Sequence, residues 1–266
     1  MTSPESVPSG TRTLRVIGIG PGDPRQVTIE AVDAMAGVDA FFVLEKSSRG
    51  KGSTTDTLIG VREQICDRHL GAGNYRFVEV VDPPRRSDPD DYDAEVRRWH
   101  DERATRIEDA LRAELADDGV GAILVWGDPG LYDSTLRIAD AIVERGRVPL
   151  HIEVVAGVTS ASALTAAHRI LANRIGEPIL VTTGRRLADT PPGVDTNQIV
   201  MLDADCAFRH TADPCDHIWW GAYLGTPHEI LISGTVGDVG DRIADERARA
   251  RAEHGWIMDI YLLRKP

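Results

Sequence analysis

Apolar positions along this chain follow two rhythms. Short runs of branched and aromatic residues, at 14–19 (LRVIGI), 40–44 (AFFVL), 76–81 (RFVEVV), 122–126 and 150–155, predict buried strands. Between them the spacing turns helical. Thr28 is placed to cap a helix running to about Gly37, with Ile29, Val32 and Ala36 on one side; further helices are predicted over 58–69, 94–117 and 134–145. The Pro- and Asp-rich stretch 82–93 interrupts the alternation as a loop. Strands and helices alternating at this pitch predict a parallel, right-handed α/β layer.

Past Gly157 the rhythm changes. A helix over 161–171 is followed by strands at 178–182, 198–202, 217–223, 229–233 and 256–262, with a single long helix, 239–254, among them. Strands in succession with few crossover helices predict a mixed, largely antiparallel sheet. The expected organisation is two α/β domains, 12–157 with a parallel sheet and 158–266 with a mixed one, behind a Ser- and Pro-rich tail over 1–11.

The totals narrow the class. At 266 residues and 42% hydrophobic, the chain suits one large domain or two compact ones. No apolar run approaches the ~20 residues that cross a bilayer. The opening MTSPESVPSGT lacks the cationic lead and apolar core of a secretion signal. Three cysteines without C-x-x-C spacing read as free thiols in a reducing cytoplasm. Cys206, His210, Cys215 and His217 match no standard zinc spacing, and no metal is expected. A net charge of −12 disfavours nucleic acid as a partner. It also requires that any anionic ligand be met by a local cluster of Arg and Lys.

Chemistry concentrates in glycine-rich turns after strands. GIGPGD (18–23) starts like a dinucleotide fingerprint but carries Asp23 where the third glycine belongs, and no Walker lysine follows. An acidic side chain there opposes a pyrophosphate. In WGDPG (126–130), Asp128 and Pro129 fit a helix start, yet that reading leaves the glycines on both sides unexplained. VAGVTS (155–160) is a third such turn. The carboxyl ends of parallel strands are where open α/β sheets bind ligands, so three turns of this kind are expected to converge on one rim.

Pro21-Gly22-Asp23-Pro24 with Val27-Thr28, then Gly127-Asp128-Pro129 with Tyr132, then AGVTSA (156–161) and GTPHEILISGT (225–235), resemble in order the motifs of the tetrapyrrole methylase family. The resemblance spans about 14–262. It implies two α/β domains with S-adenosylmethionine held in a cleft between them, a tetrapyrrole substrate and a homodimer. LVWGDPGLYDSTLRI (124–138), WHDERA (99–104) and FFVLEKSSRGKG (41–52) are most similar to the branch that methylates C1 of the ring-contracted precorrin-5 and releases acetate. Another precorrin C-methyltransferase, or a non-catalytic tetrapyrrole-binding protein of the same fold, stays open at this point.

Carried over by position, the resemblance places Pro21, Trp126, Gly127, Asp128, Leu131, Thr159, Ser160, Leu202 and Gly225 against the cofactor. Asp23 and Asp133 are the carboxylates expected to act as general base for acetyl loss, with His168 as a further candidate. Lys46, Arg49 and Lys51, then Arg185, are expected to receive substrate carboxylates. Uroporphyrinogen-methylating relatives carry Gly-Arg where this chain has Asp133-Ser134, so Ser134 is expected to face a different substrate group. Arg85 and Arg86, among acidic neighbours, are expected to form surface ion pairs.

Overall fold

The computed structural model describes residues 8–46, 54–84, 91–191 and 193–266. The chain divides into two compact units, Met1–Gly20 with Pro24–Val158, and Pro21–Asp23 with Thr159–Pro266. The second unit thus takes in residues 21–23, which the rhythm of the chain assigns to the first. Residues 8–11, grouped with a tail by composition, form a turn: Gly10 N–H donates to Asp118 Oδ1 at 2.6 Å and Thr11 N–H to Pro8 O at 3.2 Å.

The first unit holds strands β1 (Arg12–Gly18), β2 (Ala40–Lys46), β3 (Phe77–Asp82), β4 (Val120–Val125) and β5 (Leu150–Val155). Its helices are α1 (Ile29–Met35), α2 (Thr54–Leu70), α3 (Tyr92–Glu114) and α4 (Thr135–Arg145). All strands are parallel, in the order β3-β2-β4-β1-β5. Successive strands step one way along the sheet through α1 and α2, then the other way through α3 and α4. Right-handed crossovers therefore put the two helix pairs on opposite faces. The packing agrees: Leu14, Phe42 and Val80 meet Ile107, Leu111, Ile138 and Ile142, while Ile17, Phe41 and Leu124 meet Ala31, Met35, Val61 and Ile65.

One phase differs from the sequence reading. Thr28 caps α1, its hydroxyl accepting from Ala31 N–H at 3.0 Å. The buried stripe, however, is Ala31 and Met35, while Ile29 is 82% exposed and Ala36 is also exposed. Both stripes have helical spacing, so spacing alone could not choose the phase; the direction from which the chain enters α1 does.

The second unit holds β6 (Leu180–Thr183), β7 (Asn197–Met201), β8 (His217–Ala222), β9 (Ile230–Thr235) and β10 (Asp259–Arg264). Its helices are α5 (Ser160–His168), α6 (Gly184–Leu187), α7 (Phe208–Thr211) and α8 (Val236–His254). The order is β6-β7-β10-β8-β9, with β6 and β7 parallel and the other pairs antiparallel. Ala163 and Leu164 of α5 pack with Ile199 and Leu262 on one face. The other face carries polar ties. Arg247 of α8 donates from Nε to Asp259 Oδ2 at 2.9 Å, and Trp220 Nε1–H donates to the same oxygen at 3.1 Å. The strand expected from 256 starts instead at Asp259, and the Trp256 carbonyl accepts the Tyr223 hydroxyl.

Asp203, just past β7, is buried and accepts from Tyr261 Oη–H at 2.7 Å and Ala207 N–H at 2.8 Å. Burial, with the Asp203 carboxylate alongside, pushes the Tyr261 hydroxyl well above the usual tyrosine range, so it stays a donor. Tyr261→Phe leaves a buried carboxylate short of one donor. The expected cost is about 1–3 kcal/mol, read as a lower urea midpoint with an unchanged slope.

Candidate functional site

β1 and β4 are neighbours whose following helices leave toward opposite faces, which makes the carboxyl edge between them a topological switch point. The turns after β1 and β4 meet there through the main chain. Gly127 N–H donates to Gly20 O at 2.9 Å and Gly20 N–H donates to Gly127 O at 3.2 Å, an isolated antiparallel bridge at the end of a parallel sheet. The turn after β5 joins them. A Cβ on Gly18 would lie 2.6 Å from Gly157 N, and a Cβ on Gly157 would collide with Gly127 O. Three segments distant in the chain thus approach closer than any side chain permits.

Asp128 locks this arrangement. Its Oδ1 accepts from Gly130 N–H at 2.8 Å and its Oδ2 from Gly157 N–H at 2.9 Å. Asp128-Pro129 starts no helix: α4 begins at Thr135, where the helix predicted over 134–145 is found, with Ser134 at its N-cap and no side-chain cap bond. The carboxylate is spent on two loop amides instead. Leu131 follows in the same turn, its N–H donating to Asp128 O at 3.2 Å. Asp133 Oδ1 accepts from Thr135 N–H at 2.6 Å, which leaves its second oxygen as the one able to take a proton elsewhere. Tyr132 is held at φ 54° and is 44% exposed, a conformation that bulky residues adopt only when the surroundings impose it.

Under the turn sits a residue that the motif reading passed over. Arg62 of α2 donates from Nε to Leu124 O at 3.1 Å and lies 5.7 Å from the Trp126 ring centre. Burial lowers its guanidinium pKa to about 10, against the pull of Asp133 and Cys66. Arg62 flanks the apolar stripe of Val61 and Ile65, a position from which an arginine usually reaches solvent, so the pattern of the chain does not single it out. Trp126 Nε1 is buried with no protein partner among the described residues.

In the second unit, Gly22 packs on the later motif: a Cβ there would lie 2.6 Å from Thr226 Cγ2 and 2.8 Å from Leu224 O. Pro21 and Asp23 are half-buried beside it. Gly225, at φ 75°, donates its N–H to Glu229 Oε2 at 2.8 Å. Met201, Ala222 and Thr183 end β7, β8 and β6 along one edge of the sheet, because β10 runs antiparallel between β7 and β8. Leu202, Gly225 and Arg185 leave from that edge. Leu202 combines φ 54° with 67% exposure, an apolar side chain strained into solvent.

Thr159 N-caps α5, its hydroxyl accepting from Ser162 N–H at 3.1 Å, and Ser160 opens that helix. His168 is not placed as a base through Nε2. That atom lies 2.9 Å from the Trp220 carbonyl, which only accepts, so Nε2 carries the proton and anchors α5 to β8. Lys46 ends β2. Arg49, Lys51, Arg85 and Arg86 lie outside the described residues. Arg185 is exposed, next to the Arg186–Asp189 pair at 3.7 Å. Among the described residues no group of three His, Cys, Asp or Glu side chains is arranged to hold a metal.

Asp128→Ala frees two amides at a point where the chain has no room to rearrange. The expected destabilisation is about 1–3 kcal/mol for each amide left unpaired, measured by chemical denaturation. Gly157→Ala is expected to destabilise more than a surface Gly37→Ala, whose Cβ would meet nothing within 4 Å.

The model of the Tetrapyrrole (Corrin/Porphyrin) Methylases matches residues 13–240. A Sinorhizobium sp. protein named precorrin-6A synthase (deacetylating) is 46% identical over 257 residues, covering 97% of each chain. A crystal structure titled as a putative cobalamin synthesis related protein (CobF) from Corynebacterium diphtheriae superposes with a TM-score of 0.80. It is 39% identical and covers 96% of this chain and 98% of that one. A uroporphyrin-III C-methyltransferase from Thermus thermophilus, complexed with S-adenosylhomocysteine, shares the fold at a TM-score of 0.55 and 15% identity, over 95% and 92% of the two chains. By its ordered loops, its two sheets and its match over most of its length, this chain belongs to the tetrapyrrole methylase family.

Proposed function

We propose that this chain is an S-adenosylmethionine-dependent C-methyltransferase of cobalamin biosynthesis, methylating C1 of precorrin-5 and releasing the acetyl group as acetate to give precorrin-6A. The observation that carries the reading is the 46% identity to the Sinorhizobium protein over 97% of both chains. The chemistry of the loops supports the donor. Asp23, Asp128 and Asp133 stand at the turns where a phosphate-bearing cofactor would need cations, and carboxylates suit a sulfonium. In the second unit the exposed Leu202 offers an apolar surface.

The donor supplies a methyl group on a cationic sulfur, open to in-line attack by a nucleophilic ring carbon. The residues of this chain contribute position more than acid–base strength, and alignment alone can account for about 7–11 kcal/mol of a barrier. Pro21, Trp126, Gly127, Asp128, Leu131, Thr159, Ser160, Leu202 and Gly225 are the residues we assign to the donor. Acetyl loss requires water to add to the acetyl carbonyl carbon while a carboxylate takes a proton from that water; the bond from that carbon to the ring then breaks, acetate leaves, and the electron pair stays on the ring carbon, where the conjugated macrocycle spreads it. Asp128 is excluded as the base because both its oxygens accept loop amides. We assign the step to Asp23, with Asp133 second. Lys46, Arg49, Lys51, Arg185 and Ser134 are our assignment for the substrate's carboxylates and rim.

We further propose a cytoplasmic homodimer. No helix among the described residues is long and apolar enough to cross a membrane. Leu171 and Ile175, 74% and 101% exposed, support an apolar face that a second copy covers.

Two measurements test the reading. Incubation with precorrin-5 and S-adenosylmethionine is expected to give a product that has gained one methyl and lost the acetyl group, with acetate appearing in equal amount. A methyl gain without acetate, or no turnover, sinks the assignment. Leu202→Asp is expected to weaken S-adenosylhomocysteine binding about tenfold, since a buried leucine contributes about 1.5–3 kcal/mol. Aspartate tolerates the left-handed conformation, so the melting temperature is expected to stay within a few degrees.

A further inference from the structure

The parallel sheet of the first unit is incomplete beside the candidate loop. Carbonyls of β4 alternate in direction: Val125 O accepts from Ile19 N–H on the β1 side, and Val120 O accepts from Asp39 N–H on the β2 side. Leu124 O therefore points toward β2. Yet β2 and β4 are paired only at Ala40–Gly121 and Phe41–Ala122, while β2 continues to Lys46 alongside β3. The sheet opens between β2 and β4 after Ala122, four residues short of Trp126. A buried carbonyl left unpaired there would cost about 1–3 kcal/mol.

Arg62 fills the breach. Its Nε–H takes Leu124 O in place of a strand amide, at 3.1 Å, and its guanidinium lies 5.7 Å from the centre of the Trp126 ring. Asp133, at the far end of the same turn, is the leading acidic influence on it. One side chain thus touches the strand end before the turn and the indole that begins it, and faces the carboxylate that ends it. A neutral apolar residue would satisfy none of the three; a lysine would keep the charge but not the fork that reaches the carbonyl.

We propose that Arg62 is a positioning residue for the 126–133 turn, a half-buried cation that replaces the missing strand and sets the shape of the surface on which the methyl donor binds. The inference rests on the reading of that turn as part of the donor site. Arg62 acts through Leu124, Trp126 and Asp133.

Calorimetric titration with S-adenosylhomocysteine tests it, together with thermal melting, on the wild type, Arg62→Met, Arg62→Lys and Asp133→Asn. The wild type is expected to bind. Arg62→Met is expected to bind about tenfold or more weakly, the scale on which small displacements act in such sites, and Arg62→Lys is expected to recover part of that loss. Asp133→Asn keeps an acceptor for Thr135 and removes the charge facing Arg62. It is expected to weaken binding several-fold with little change in melting, and it carries the test if Arg62→Met does not fold. A folded Arg62→Met with wild-type affinity, or an Arg62→Lys no better than Arg62→Met, overturns the inference while leaving the donor site standing. A wild type that does not bind the probe overturns the donor site, and this inference with it.

Discussion

The first unit depends on a main-chain approach that excludes side chains. Gly18, Gly20, Gly127 and Gly157 bring the ends of β1, β4 and β5 into contact, and the Asp128 carboxylate fastens two of those segments through their amides. At Gly18 and Gly157 glycine is required for space, because the atoms a Cβ would strike are backbone atoms that cannot swing away. A polar rim of amides and carbonyls is thereby held at the carboxyl edge of a buried sheet. The apolar layers on both faces supply the rigidity on which that rim rests.

Much of this was legible in the chain. Short apolar runs such as LRVIGI and AFFVL are marked as buried strands by their length and their branched and aromatic residues, and both appear where that pattern placed them. The glycine-flanked Asp128-Pro129 raised the right question, since a helix cap explains only half of it. What escaped has physical causes. Helical spacing gives a stripe but not which of two equivalent stripes is buried: Ile29, Val32 and Ala36 share a side, yet Ala31 and Met35 are the buried pair. His168 reads as a titratable candidate in isolation; only the fold reveals the Trp220 carbonyl waiting for its proton.

Candidate residues of the second unit were harder to anchor because they follow strands without a shared motif. Leu202 and Tyr223 both adopt positive φ just after β7 and β8, and neither is a residue from which that could be read. Arg62 was hidden for the opposite reason. An arginine on an amphipathic helix usually snorkels to solvent, and its role here exists only because β2 and β4 part company before β4 ends.

The use of both Asp128 oxygens on amides has an implication for how such a protein could change what it acts upon. Gly127 is tied to the turn after the neighbouring β1 and Asp128 to the turn after β5, two strands away, so altering either disturbs the ends of the sheet. Just beyond, at Ser134, the side chain makes no cap bond to α4. Selectivity for one ligand over another can drift at that position at small energetic cost, while the fastening behind it remains as it is.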